Sequence, residues 1–217
     1  IFGMILNVIS RDRYIEDNKR GFKRIMSSRN LDNDVEDEVV DKLVNTVDKA
    51  MPKLTHRYYK WKANQFGQTS LDWWDRNAPL PHSSENLIKW SDAKNIILDS
   101  FSSFHQEISN LAELFFKNNW IDASLRKGKA SGAFAHPSVP SLHPYILVNY
   151  QGKIRDVMTL AHELGHGVHQ ILAGKNGLLM AETPLTLAET ASVFGEMLVF
   201  RKLLDESSVA QKKQLLS

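Results

Sequence analysis

The sequence predicts a mainly helical α+β chain with one small antiparallel β-sheet, and three observations carry that reading. Apolar residues recur every three or four positions through most of the 217 residues, the period of a helix with one buried face. Between Ala130 and Tyr150 that period gives way to short β-branched and aromatic runs, separated by a loop with Pro137, Pro140 and Pro144. A strong helical period then resumes and contains His162-Glu163-Leu164-Gly165-His166.

Taken in order, Ile1 to Ile9 is apolar but short. It lacks the basic start and small-residue cleavage site of a signal peptide. Arg11, Arg13, Lys19, Arg20, Lys23, Arg24 and Arg29 form a basic cluster that Asp12, Glu16 and Asp17 interrupt, with an acidic stretch directly after it. This reads as a solvated helix face or a connector rather than a nucleic-acid surface. Asn33 and Glu36 form a candidate capping pair. The helix they open is marked by Val35, Val39, Leu43, Val47, Met51, Leu54, Tyr58 and Trp61 and runs to about Gln65. Pro52 should kink or interrupt it, because proline removes a backbone donor and clashes with the preceding turn. The aromatic stripe Tyr58, Tyr59 and Trp61 reads as core packing.

Residues 67–84 are turn-rich and separate this block from the next. Ser91 to Phe101 and Gln106 to Asn118 have helical period through Ile96, Ile97, Ile108, Leu111 and Phe115, with His105 as a structural residue at their junction. Ala133-Phe134-Ala135 and Tyr145 to Tyr150 are the expected strands. Gln151-Gly152 turns the chain, and Arg155 to Ala173 forms a helix of about 28 Å with Gly174 as its C-terminal cap. Asp156 in its first turn suits a capping and dipole role.

The chemistry is concentrated in that helix. Residues four apart lie one above the other on a helix face, so His162 and His166 can aim two imidazole nitrogens at one point. Zn²⁺ accepts such nitrogens at about 2.0–2.1 Å. Glu163 follows the first histidine, where its carboxylate can act as a base on water held by the metal. That is the pattern of a zinc-dependent peptide hydrolase. A catalytic zinc usually takes a third protein ligand. Glu182, Glu189 and Glu196 are spaced by seven and would share one face of a following helix. Thr183-Pro184 favours initiation there, which leaves Glu182 at or before the helix end. Spacing favours Glu189 and leaves the other two open. Glu196 could instead bond the second nitrogen of a ligand histidine. His169 reads as a neighbour of the site. His136 and His143 read as structural or substrate-contacting rather than as a second metal site.

Thr159 to Gln170, followed by Thr186-Leu187-Ala188-Glu189-Thr190-Ala191-Ser192, resembles the oligoendopeptidase F family, relatives of the thimet oligopeptidases. So do His56-Arg57-Tyr58-Tyr59-Lys60, Trp74 to Pro81, Trp120-Ile121-Asp122, Gly132-Ala133-Phe134 and His143 to Leu147. The resemblance covers nearly the whole chain and maps the third ligand onto Glu189. It implies one Zn²⁺ ion held by His162, His166 and Glu189, Glu163 as the catalytic base, and internal cleavage of short peptides. It further implies a tyrosine, and often a histidine, from a later region, for which nothing after Glu196 is a counterpart. Residues 1–217 are therefore expected to be part of one metallopeptidase catalytic domain, with a helical region at 1–118 and the sheet plus zinc-binding helices at 119–217. The rest of a longer polypeptide is expected on both sides.

Composition sets outer limits. A net charge of +2 is too mild to argue for nucleic acid or membranes. With no cysteine, disulfide and thiol chemistry are excluded, and a reducing, cytoplasmic setting is expected. No apolar run approaches the ~18–20 residues of a membrane span. Gly128-Lys129 is not a phosphate loop, because the first glycine of that pattern is absent. Two competing readings remain: a zinc carboxypeptidase, for which Lys127, Lys129 or Arg155 would have to bind the substrate's terminal carboxylate, and a non-catalytic helical interaction module. An exposed strand edge at Gly132 to Ala135 is the expected seat for an extended peptide.

Overall fold

The computed structural model describes residues 1–81 and 87–216. It divides into two compact units, Ile1–Asp72 and Trp73–Ser217, each considered by itself. Of the turn-rich segment, residues 82–84 lie outside the described residues.

The first unit is helical: α1 (Phe2–Lys19), α2 (Ser27–Asp32), α3 (Asp37–Ala50) and α4 (Thr55–Gln65). The basic cluster is tied to the acids around it. Arg24 makes a two-pronged contact with Asp41 at 2.7 and 2.9 Å, and Arg13 pairs with Asp17 at 3.2 Å. Asp37 accepts from Ser27 and Asn30 and so joins α2 to α3. The long predicted helix is broken between α3 and α4, where Pro52 falls. The capping expectation needs correcting. Asn33 ends α2, its N–H returning to Arg29 and Asn30, and Asp34 then takes a positive φ of 55°. The reversal leaves Glu36 as the residue before α3. Tyr58, Tyr59 and Trp61 pack on one another with centroids 5.5 and 5.9 Å apart.

The second unit opens with a 3-10 turn, Trp73–Asn77, and builds its core around α7 (Ile154–Gly174). α5 (Trp90–Phe104) and α6 (Gln106–Lys117) pack on each other and on α7, and α8 (Leu185–Glu206) packs on α7 and α5, followed by α9 (Val209–Leu215). Ile97, Phe101, Phe115, Val157, Leu160, Leu164 and Val199 from these helices are all buried. Burying such side chains stabilises the fold by about 1.5–3 kcal/mol each. His105 turns the chain between α5 and α6, its Nδ1 accepting from the Glu107 N–H.

The small sheet lies beside α7 and has three strands in the order β1 (Ile121–Asp122), β3 (Tyr145–Leu147), β2 (Phe134–His136). β2 and β3 pair antiparallel, with Ala135 opposite Ile146. β1 adds a parallel edge, with Ile121 opposite Ile146. Ile146 and Val148 carry the buried face of this region. Lys129 holds the connection after β1: its ammonium, almost fully buried, donates to the Asp122, Ser124 and Val148 carbonyls and to the Asp122 carboxylate. Gly152 makes the expected turn at a φ of +95°. Asp156 then accepts from the N–H groups of Gln151 and Lys153 at 2.8 and 3.0 Å and so starts α7. The other end differs from expectation. Gly174 is the last helical residue, the cap falls on Lys175, and the left-handed residue is Gly177. Bonds from Lys175 and Asn176 to Leu172 and Ala173 tighten the last turn and carry the chain past Gly174.

Candidate metal centre

Two glycines determine how closely α7 and α8 approach. A Cβ on Gly165 would lie 2.6 Å from the Ala191 carbonyl oxygen and 2.8 Å from the Ser192 Cα. A Cβ on Gly195 would lie 3.0 Å from the Ala161 carbonyl oxygen. Only residues without side chains permit this crossing. It carries Glu189, near the start of α8, to the face of α7 that bears both histidines.

Glu189 Oε2 stands 3.2 Å from His162 Nε2 and 3.5 Å from His166 Nε2. Among the described residues these three form the cluster suited to a cation. Donors at about 2.0–2.2 Å around a tetrahedral ion lie about 3.4 Å from one another, and both separations from Glu189 match that spacing. Two neutral nitrogens and one carboxylate oxygen are also a donor set that zinc accepts. Burial lowers the His166 pKa below its ordinary value, which keeps the ring neutral and its lone pair available. The Ser192 hydroxyl, donating to Glu189 Oε2 at 2.6 Å, holds the Glu189 carboxyl below the usual carboxylate range. Behind His162, Glu196 Oε2 lies 3.2 Å from Nδ1. That contact orients the ring so that Nε2 faces Glu189.

Glu163 is buried, 6% exposed, on the same helix. Burial raises its carboxyl pKa above the ordinary value, with Glu189 acting in the same direction and the neighbouring His162 against it. Ala135 lies in the edge strand β2, and its carbonyl accepts from Gln170 Nε2 at 3.3 Å.

The remaining expectations sort themselves out around this centre. Glu182 precedes α8 and is not in the donor cluster. His136 and His143 are also outside it: His136 Nδ1 accepts from the Ser138 N–H, and His143 stacks on Trp120 with centroids 3.9 Å apart. His169 faces a cavity beside His166. The expected strand edge begins later than Gly132, whose φ of +86° takes it out of β2. Lys129 is enclosed by its four oxygen partners and cannot reach a substrate carboxylate, which removes one support of the carboxypeptidase reading. Gly165, Gly195, Ser192 and Gln170 were not singled out from the sequence. Glycines inside so regular an apolar period were the available signal, since each costs helix stability unless a close contact requires it.

Fold and donor cluster define a class: mainly helical proteins with three metal-type donors gathered where two helices cross. The chain belongs to peptidase family M3, whose model matches residues 4–217. It is 30% identical over 212 residues to the oligoendopeptidase F homolog of Borreliella burgdorferi, covering 96% of this chain and 35% of that protein. It is 29% identical over 174 residues to oligopeptidase PepF of Bacillus subtilis, covering 80% of this chain and 26% of that one. The crystal structure of a peptidase candidate from Chlamydophila abortus superposes with a TM-score of 0.78 at 27% identity, covering 99% of this chain and 36% of the other. The chain thus spans between about a quarter and a third of the length of the relatives it matches.

Proposed function

We propose that this chain carries the catalytic centre of a zinc-dependent endopeptidase that hydrolyses internal bonds of short peptides. His162, His166 and Glu189 are the zinc ligands and Glu163 the general base. The observation that carries the reading is the convergence of three donors within 4.8 Å of one another, with Glu189 at 3.2 and 3.5 Å from the two histidines, beside a buried carboxylate. When bound there, zinc supplies Lewis-acid polarisation of a carbonyl and acidification of water. Glu163 takes the proton from the attacking water and returns it to the leaving amine. The strand along which the peptide lies packs on the helix that carries the base. β2 is an outer strand of the sheet, the position at which an extended backbone adds to a sheet whatever its side chains. Glu196 keeps His162 in the ligating orientation. The family match over residues 4–217 supports treating both units as parts of one catalytic domain within a longer polypeptide. Among the described residues no helix is long and apolar enough to cross a membrane; a cytoplasmic site of action is part of the same proposal.

The test uses the full-length polypeptide. It should bind one equivalent of zinc and cleave internally quenched peptides, and a chelator should abolish the cleavage. Glu163→Gln should keep the metal and lose about 10²–10⁴-fold in turnover. Near wild-type turnover in Glu163→Gln, or products trimmed one residue at a time from the C-terminus, would overturn the reading.

A further inference from the structure

Gln170 lies one turn beyond His166 and two beyond His162, so the three side chains leave α7 on one face. Its Nε2 donates to the Ala135 carbonyl of β2 at 3.3 Å. We propose that Gln170 is a positioning residue for the substrate: this bond sets β2 against α7 and so fixes the level at which a peptide paired with β2 crosses the donor cluster. The proposal rests on the peptidase reading above and adds the group that aligns the bond to be cut.

The direction in which Ala135 faces is the first support. It stands opposite Ile146, and Ile146 gives its N–H to the Trp120 carbonyl at 2.9 Å, on the β1 side. Backbone groups alternate in direction along a strand. Phe134 and His136 therefore bond to β3, while the Ala135 carbonyl is turned to the outer edge, the side on which a peptide adds. How little else could hold that edge is the second. β2 has three residues. Phe134 and His136 are exposed, and Ala135 is the one that packs against the core. A lone methyl group makes few contacts and leaves the height of the strand loosely defined. The state of the amide is the third. Gln170 Oε1 is shielded from solvent and meets no donor among the described residues. A long hydrogen bond on one side of an amide and a stranded acceptor on the other contribute little to stability together. What the side chain does supply is location. Without it β2 can settle nearer to α7 or farther away, and neighbouring bonds of the peptide reach the donors.

The experiment compares the full-length polypeptide with its Gln170→Met variant, which keeps the length of the side chain and has neither polar atom. Donor and stranded acceptor leave together, and water meets the Ala135 carbonyl at the outer edge. Melting of the metal-free protein and zinc affinity should therefore stay as they are. In the zinc-loaded protein, kcat on a quenched peptide should fall about tenfold or more. The share of product from the main bond should drop as its neighbours are cut as well, read by mass spectrometry. An unchanged kcat and cleavage pattern overturns the proposal and leaves the peptidase reading standing. A melting temperature lowered by several degrees marks a structural role and overturns it too. In parallel, both metal-free proteins are titrated with N-acetyl-tetraalanine amide, which offers a backbone and no side chain beyond a methyl. Wild type should bind it at least about threefold more tightly than Gln170→Met. Absence of hydrolysis from zinc-loaded wild type overturns the peptidase reading; equal affinity for the alanine probe, or no binding by either protein, overturns the role of Gln170 whether or not peptides are cut.

Discussion

Replacing Gly165 by alanine sets two effects of opposite sign against each other. Helix propensity alone favours alanine over glycine by up to about 1 kcal/mol. Against it, the new methyl would sit 2.6 Å from the Ala191 carbonyl oxygen and 2.8 Å from the Ser192 Cα. Both are backbone atoms of α8, so no side chain can swing aside. Ordinary contact begins near 3.4 Å, so α8 must retreat by roughly 0.8 Å. Overpacking of that kind costs about 1–3 kcal/mol, which outweighs the propensity gain and leaves a net loss of roughly 1–2 kcal/mol. The retreat also carries Glu189 away from His162 and His166. The present 3.2 and 3.5 Å separations would lengthen to about 4 Å, too wide for donors sharing one ion at about 2.1 Å. Zinc affinity, measured by competition with a chromogenic chelator, should fall about tenfold to a hundredfold, and the metal-free protein should melt at a lower temperature. Gly167→Ala is the comparison. Its methyl would meet the Phe115 ring at 2.5 Å, so stability should fall while α8 and the metal affinity stay as they are. A Gly165→Ala protein that binds zinc normally and melts higher than wild type would refute the crossing argument.

Three further outcomes are expected. Glu196→Gln weakens the acceptor at His162 Nδ1 and should lower zinc affinity about tenfold or more, read by the same chelator competition, with little change in melting of the metal-free protein. Asp122→Asn tests the buried ammonium of Lys129. Bonds from Arg126 and Lys129 hold the Asp122 carboxyl well below the usual carboxylate range, so its contribution is fully present above the unfolded value of about 3.9 and fades as pH falls below it. The difference in denaturation midpoint between wild type and Asp122→Asn should therefore be largest at pH 7 and shrink below about pH 4; a gap independent of pH would sink this account. Glu163→Gln should leave zinc stoichiometry at one while lowering peptide cleavage about 10²–10⁴-fold, measured by elemental analysis and by the quenched-peptide assay.

Residues whose roles depend on a single helix were legible from the chain alone. His162, Glu163 and His166 stand in fixed relation because helical geometry relates positions one and four apart without reference to anything else. The α5, α6 and α7 periods, the interruption at Pro52 and the turn at Gly152 are local in the same sense. Glu189 stood among three glutamates seven apart, which periodicity ranks but cannot separate, and it was the resemblance to a known family that picked it out. What brings Glu189 to the histidines is the depth of the α7–α8 crossing, a contact between Gly165 and Ala191 and between Gly195 and Ala161. The parallel pairing of β1, the packing of β2 on α7, the enclosure of Lys129 and the cavity walled by Trp120, Pro140 and Ala188 belong to the same category. Each joins residues far apart in the chain, and their proximity is decided by how the elements pack, a free energy summed over many contacts at once. Local periodicity reports which face of an element is buried. It carries no information about which partner buries it.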